Sequence, residues 1–382
     1  MSDITDTVIA WLAPRFEEME ALLHRLVDID SNSFDKAGTD AVADAVIEVL
    51  AADGIAVERI VKQRFGDVLR AEVPGTGTNT YALMMGHRDT VFKKGTVATR
   101  GYSRNGDLAF GPGVCDMKAG LVANIFTLRA IKAAGGLPFP VVALFTADEE
   151  IGSPEGRAEI ENAARGARAV FNTEPGRVSG NVVVARKGGG SFHITVKGRA
   201  AHSGVNHKDG ASAIEALARK IVRLHALTNY DTGITTNVGI IKGGNNHNTV
   251  APWAEAELDL RFITLEQHAA IVPEIEKIVR AEDVPGTSAE IKPVALFLPL
   301  ERKHSEALFT LYKGAAARVG FPVDGEFTGG CADSGFTAAL GVPSLCGLGP
   351  VGGKAHTDDE FCRLDTLVPR AQALAAAICA LK

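Results

Sequence analysis

YALMMGHRDT (residues 81–90) and VVALFTADEE (residues 141–150) share one plan: an apolar run of β-strand character ends abruptly in histidine or acids. Between them, 117–132 carries apolar side chains at helical spacing. After them, 169–172 repeats the strand-like run and Glu174 follows it. Strand-like runs alternating with helical stretches predict an α/β sheet covered by helices. In such sheets functional loops gather at the carboxyl ends of strands, and His87, Asp89, Glu149, Glu150 and Glu174 all follow strand-like runs directly.

Outward from this core, the texture changes near residue 181. Segments 182–185 and 191–196 alternate like strands, 210–225 reads as a helix, 235–241 and 254–262 as strands, 265–281 as a helix and 289–294 as a strand. That order describes a compact α+β unit of ferredoxin-like type with helices on one face. It predicts an inserted second domain over 181–295, leaving 1–180 and 296–382 to form the first domain, which closes with helices at 305–319 and 366–380. The amino-terminal stretch MSDITDTVIAWLAPRFEEMEALL reads as one amphipathic helix, and it carries acids where a signal peptide would be basic.

A chain of 382 residues, 46% hydrophobic and 23% charged, can bury a large core and is neither disordered nor a disulfide scaffold. Its 46 acidic and 40 basic side chains form no long run of either sign, which argues against a nucleic-acid partner. Five scattered cysteines without a CxxC pair argue against disulfides and thiolate zinc sites, and point to a reducing compartment. No apolar run approaches the roughly 18 residues of a membrane span. The expectation is a soluble, cytoplasmic protein with no membrane partner.

Five segments hold the metal-capable side chains: GHRDT (His87, Asp89), GPGVCDMKAG (Asp116), TADEEIGS (Glu149, Glu150), NTEPG (Glu174) and GGKAHTDDE (His356). Imidazole and carboxylate together favour zinc, with cobalt or manganese as neighbours in chemistry. Two histidines and three carboxylates exceed the needs of one catalytic zinc but satisfy two divalent ions sharing a bridging carboxylate, for which Asp116 is the candidate. Asp89, two residues beyond His87, is placed to orient its imidazole or to cap a turn. Glu149 and Glu150 are adjacent and should point in different directions, one to bind metal and the other to move protons. The chemistry this composes is metal-assisted hydrolysis.

Taken in order, GHRDTVF, AFGPGVCDMKAG, FTADEEIGS, GRAAHSG, EFTGGCADSGF and the late His356 resemble the co-catalytic zinc exopeptidases and deacylases. That group includes glutamate carboxypeptidase (glucarpidase), acetylornithine deacetylase, succinyl-diaminopimelate desuccinylase and aminoacylase. The chain is most similar to the glutamate carboxypeptidase type, from about Tyr81 to the C-terminus. The resemblance implies a zinc-exopeptidase-like catalytic domain, a mixed sheet flanked by helices, and an inserted dimerisation and lid domain. It implies that His87, Asp116 and Glu174 hold one metal, that Asp116, Glu150 and His356 hold the other, and that Glu149 is general base and acid. His202 resembles the histidine that reaches a partner's active site in a homodimer. Arg261, with Asn248, resembles the receptor of a free substrate carboxylate, and Gly329 and Gly330 match a glycine-rich lining. The implied activity is cleavage of an amide bond next to a free carboxylate, by a carboxypeptidase or N-acyl amino acid amidohydrolase acting on a small molecule.

Other readings stay open from sequence. Arg261 can pair with Asp259, and His202 and Asn248 can be turn residues. Cys115, Cys331, Arg186 and Lys187 depart from the glutamate carboxypeptidase pattern and put glutamate specificity in question. A small-acyl deacylase, or a metal-bound binding protein without turnover, would use many of the same side chains.

Overall fold

The computed structural model describes residues 3–382, which fall into two compact units. The first takes the chain up to Ala185 together with Leu300–Thr328 and Ala332–Lys382; the second takes Arg186–Pro299 and Gly329–Cys331.

The first unit is organised by a six-stranded mixed sheet in the order Ala56–Ile60, Val68–Val73, Val141–Thr146, Tyr81–His87, Ala167–Asn172, Ser344–Leu345. The first three strands pair antiparallel and the rest parallel. Val141–Thr146 is buried at every residue, as its unbroken apolar run requires of a strand covered on both faces. Helix Ala119–Ala133 crosses from Tyr81–His87 to Val141–Thr146 and is itself nearly all buried, forming one core with Phe16–Val27 and Leu367–Cys379. Parallel pairing aligns the carboxyl ends: His87 pairs with Thr146, and Met85 with Asn172. The segments 87–89, 148–150 and 172–174 therefore leave the sheet at the same end.

The amino-terminal stretch differs from its expected single helix. It forms Ile4–Leu12 and Phe16–Val27, because Pro14 has no N–H to donate to the preceding turn. Both helices still bury an apolar face, through Val8 and Leu12 in one and Met19, Leu22, Leu23 and Leu26 in the other.

The second unit is a four-stranded antiparallel sheet in the order Thr235–Gly243, Trp253–Phe262, Gly188–Lys197, Ser288–Phe297, with helices Ala213–His225 and Leu265–Arg280. In chain order the strands lie 2-3-1-4, the ferredoxin-like arrangement. Alternation along Trp253–Phe262 buries Ala254, Ala256, Leu258, Leu260 and Phe262 against Leu217, Leu224, Ile275 and Val279. Val182–Arg186, which reads as a strand, pairs with Gly325–Thr328 in a separate two-stranded sheet. Among the described residues no helix is long and apolar enough to cross a membrane.

Candidate metal centre

His87 ends its strand with 2% exposure, and its ring is fixed from behind. Nδ1 lies 3.0 Å from the Asp89 carbonyl oxygen, which can only accept, so Nδ1 carries a hydrogen and Nε2 is the nitrogen turned toward the acids. The Asp89 carboxylate is fully buried and accepts from Ser33 Oγ at 2.7 Å and from the backbone N–H groups of Glu149 and Glu150 at 3.2 and 3.1 Å. Asp89 thus orients the histidine and also holds the next strand's acidic turn against it.

Asp116 lies in a distorted turn, Val114–Lys118, where it and Met117 leave helical geometry; the Asp116–Met117 peptide bond is cis. Its two oxygens face different ways, Oδ1 at 3.3 Å from His87 Nε2 and Oδ2 at 3.5 Å from His356 Nε2. Just beyond, a Cβ at Gly120 would collide with the Thr173 carbonyl, so glycine lets this helix start lie against the backbone that leads to Glu174.

Glu149 and Glu150 occupy a single 3-10 turn, not a continued strand. They nevertheless diverge: Glu149 Oε2 is 3.9 Å from His87 Nε2, and Glu150 Oε2 is 3.1 Å from His356 Nε2. Glu174 Oε1 lies 3.8 Å from His87 Nε2. His356 is half-exposed and sits at φ 65, a left-handed conformation costing an L residue about 1–2 kcal/mol. Strained positions of this kind gather at functional sites.

The electrostatics are those of a site built for cations. Burial pushes the Glu149 carboxyl well up, reinforced by Glu174, Asp333 and Glu150 although His87 opposes it. Burial raises Glu150 to about 7 against the pull of His356. For Asp116 burial is outweighed by the neighbouring imidazoles of His356 and His87, which hold its carboxyl far below the usual carboxylate range. His356 is raised to about 10 by Asp116 and Glu150. His87 Nε2 faces oxygens of Asp116, Glu149 and Glu174, yet it is buried without a hydrogen bond of good geometry. A cation between them would reconcile this imidazole nitrogen with the carboxylates around it, and donor atoms of His87, Asp116 and Glu150 all lie within 4.8 Å of one another. The donor set fits divalent metal.

The structure therefore gathers His87, Asp89, Asp116, Glu149, Glu150, Glu174 and His356 in the first unit. His202, Asn248, Arg261, Gly329 and Gly330 lie in the second. There His202 and Asn248 are exposed on adjoining loops, with Ser203 N–H donating to the Asn248 carbonyl at 3.0 Å. Arg261 grips Asp259 through Nε and Nη2, both at 2.9 Å, and Nη1 donates to Cys331 Sγ at 2.8 Å. Arg186 donates to the carbonyls of Gly330 and Cys331, and Lys187 to that of Gly233. Cys115 is buried beside the Gly353 carbonyl.

Sequence reasoning missed four residues that build the centre. Ser33 holds Asp89; Asp148 accepts from the N–H groups of Glu155 and Gly156 and anchors the following helix. Asp333 accepts from Ser153 Oγ at the end of the Glu149–Glu150 turn, and burial raises its carboxyl to about 8. Glu360 accepts from the N–H groups of Gly113, Cys115 and Asp116. The TDDE run after His356 was the signal for Glu360; nothing in sequence marks Ser33.

Comparison with known proteins places the chain in one family. The model of peptidase family M20/M25/M40 matches residues 83–380. Carboxypeptidase G2 of Pseudomonas sp. (strain RS-16) is 26% identical over 363 residues, 93% of this chain and 86% of that one. Acetylornithine deacetylase of Proteus mirabilis (strain HI4320) is 28% identical over 374 residues, 91% of this chain and 92% of that one. The Bacillus subtilis YXEP protein, described as a dinuclear metal binding peptidase from the M20 family, shares the fold. Its TM-score is 0.71 at 16% identity, covering 95% of this chain and 97% of that one.

Proposed function

As a hydrolase of peptidase family M20/M25/M40, to which the chain belongs, the protein acts on amide bonds of small peptides or acyl amino acids, and we propose that it cleaves the amide bond next to a free carboxylate, as a carboxypeptidase or N-acyl amino acid amidohydrolase. The observation that carries the reading is Asp116 turning one oxygen to His87 and the other to His356, with buried Glu149 alongside. Zinc is the proposed metal at both positions, cobalt and manganese being chemical substitutes.

In the proposed mechanism His87, Asp116 and Glu174 hold one ion, and Asp116, Glu150 and His356 the other. Divalent metal held there would supply Lewis-acid polarisation of the scissile carbonyl and a water acidified toward a pKa of about 7. Glu149 takes a proton from the attacking water and delivers it to the departing nitrogen; its burial raises its proton affinity toward that task. Asp89 keeps His87 and the Glu149 turn in register. His202 of the partner subunit in a homodimer donates to the tetrahedral oxyanion. Arg261 and Asn248 receive the substrate carboxylate, and Gly329 and Gly330 leave room for it. The second unit, whose bounds in the structure are Arg186–Pro299 with Gly329–Cys331 instead of the expected 181–295, serves dimerisation and closure, and the cytoplasm is the proposed location.

The test is release of free amino acid from a panel of dipeptides, N-acetyl amino acids and bulky N-acyl glutamates, each with free and amidated carboxyl groups, with and without chelator. Chelator-sensitive cleavage restricted to free carboxylates supports the reading. Preference for acetyl over bulky acyl groups would move it to a small-acyl deacylase, and cleavage indifferent to amidation would overturn the carboxylate requirement.

A further inference from the structure

We infer that Glu360 is a positioning residue of the metal centre, its buried carboxylate fixing the loop that carries Asp116 and thereby setting how tightly metal is held. The inference rests on the reading of His87, Asp116, Glu150, Glu174 and His356 as metal ligands.

Glu360 is fully buried. Its Oε1 accepts from the N–H of Cys115 at 2.9 Å and of Asp116 at 3.0 Å, and its Oε2 from the N–H of Gly113 at 3.0 Å. Three backbone donors converging on one carboxylate form an anion-holding concavity, and bonds to an ionised acceptor are the strong kind. Gly113, at φ 72, supplies the left-handed bend that turns its N–H inward. The neighbouring acids Asp358 and Asp359 are exposed and take no part.

The consequence lies in what the held backbone carries. The Asp116 oxygens stand 3.3 Å from His87 and 3.5 Å from His356, so any swing of the 113–116 loop alters both distances together. Glu360 follows His356 by four residues, and its own N–H donates to the Thr357 carbonyl at 3.2 Å, closing the turn between them. One short segment thus offers a ligand through its histidine and steadies the shared carboxylate through its glutamate. Groups that orient metal ligands in this way are worth about 10- to 100-fold in metal affinity.

The experiment compares the parent chain with Glu360→Gln and Glu360→Asp. Metal-free protein is titrated with zinc against a chromophoric chelator, and the thermal melting of each metal-free form is recorded separately. Glu360→Gln keeps the shape but loses the charge, and should bind zinc about 10- to 100-fold more weakly while the metal-free form melts near the parent. Glu360→Asp keeps the charge on a shorter arm and should recover part of the affinity. Unchanged affinity in Glu360→Gln overturns the inference. So does a metal-free Glu360→Gln that melts far below the parent or fails to fold, since Glu360 would then serve the fold and not the metals. A parent that binds no zinc withdraws the ligand reading itself; a parent and Glu360→Gln that bind equally withdraw only the role of Glu360.

Discussion

His87, Asp89, Glu149 and Glu174 leave strands buried within a six-stranded sheet, and each is at most 8% exposed. His202, Asn248, Gly329 and Gly330 stand on exposed stretches of the second unit, and Arg261 lies half-covered on its sheet. In the first group Asp89 receives three hydrogen bonds from other segments. His202 is held within its own loop through Asn206 and Gly204, and its backbone bridges to Thr249 on the adjoining one. On the proposed function the contrast is a division of labour: groups proposed to break the bond gain from a rigid, preorganised setting, whereas those proposed to meet substrate or partner sit where the chain can adjust.

The largest effect should come from the rigid side. Glu149→Ala is expected to lower kcat by about 10²- to 10⁴-fold while metal content, measured by elemental analysis, stays at the parent value. A variant that still turns over would remove Glu149 as the proton carrier. On the adjustable side, His202→Ala should cost about 10²- to 10³-fold, the worth of one oxyanion donor. Mixing subunits bearing Glu149→Ala with subunits bearing His202→Ala tests action across a dimer, because one site in each mixed pair would be whole. No activity regained on mixing confines His202 to its own chain.

How much of this was legible in sequence follows the same division. Apolar runs that end in His87, Glu149 or Glu174 announce both a buried strand and the chemistry at its end, because burial and site formation act on adjacent residues. The strand and helix order of the inserted unit was equally readable, since alternation along 254–262 survives as alternating burial. Glu360 and Ser33 were not legible as partners: their hydrogen bonds reach N–H groups about 245 residues away and a carboxylate 56 residues away. A bond to a backbone amide leaves no residue pattern to read. The break at Pro14 was written in the sequence, but helical periodicity on both sides of it masked the stop.

Arg261 sharpens the comparison at smaller scale. Its bonds to Asp259 are what a plain ion pair would show, while a carboxylate receptor would lose charge-assisted hydrogen bonds worth about 1.5–3 kcal/mol on truncation. Arg261→Ala should raise KM by about tenfold or more for substrates with a free carboxylate and leave amidated analogues unaffected. An equal loss on both kinds of substrate would leave only the ion pair with Asp259.

The first unit also contains a charge network whose loss with acid has a defined sign. Burial would raise the Asp67 carboxyl, but hydrogen bonds from Lys36, the Lys62 N–H and Arg59 outweigh it and bring the pKa from 3.8 to about 2. Lys36 Nζ and Arg59 Nε lie 2.5 and 2.8 Å from its oxygens. Because the folded value is depressed, this stabilisation is complete above the unfolded pKa and disappears as pH falls through about 2. Its size is about 2 kcal/mol. In urea melts, the stability gap between parent and Asp67→Asn should be constant near neutrality and close between pH 4 and 2. A gap independent of pH would mean that Asp67 acts through shape alone.

The smallest effect probes whether the two units are independent in stability as well as in role. Helix Leu265–Arg280 begins with a capping box: Thr264 Oγ1 accepts from the Gln267 N–H at 3.2 Å, and Gln267 Oε1 accepts from the Thr264 N–H at 3.2 Å. Thr264→Ala frees one donor of the first turn and should cost about 1 kcal/mol. The second unit has its own apolar core, whereas the candidate metal ligands belong to the first, so the two perturbations address different cooperative units. Calorimetry should show two transitions, one lowered by Thr264→Ala and untouched by zinc, the other raised by zinc and untouched by Thr264→Ala. A single transition moved by both would mean that the inserted unit borrows its stability from the sheet that carries the metal ligands, and the division between rigid and adjustable halves would then be one of exposure, not of folding.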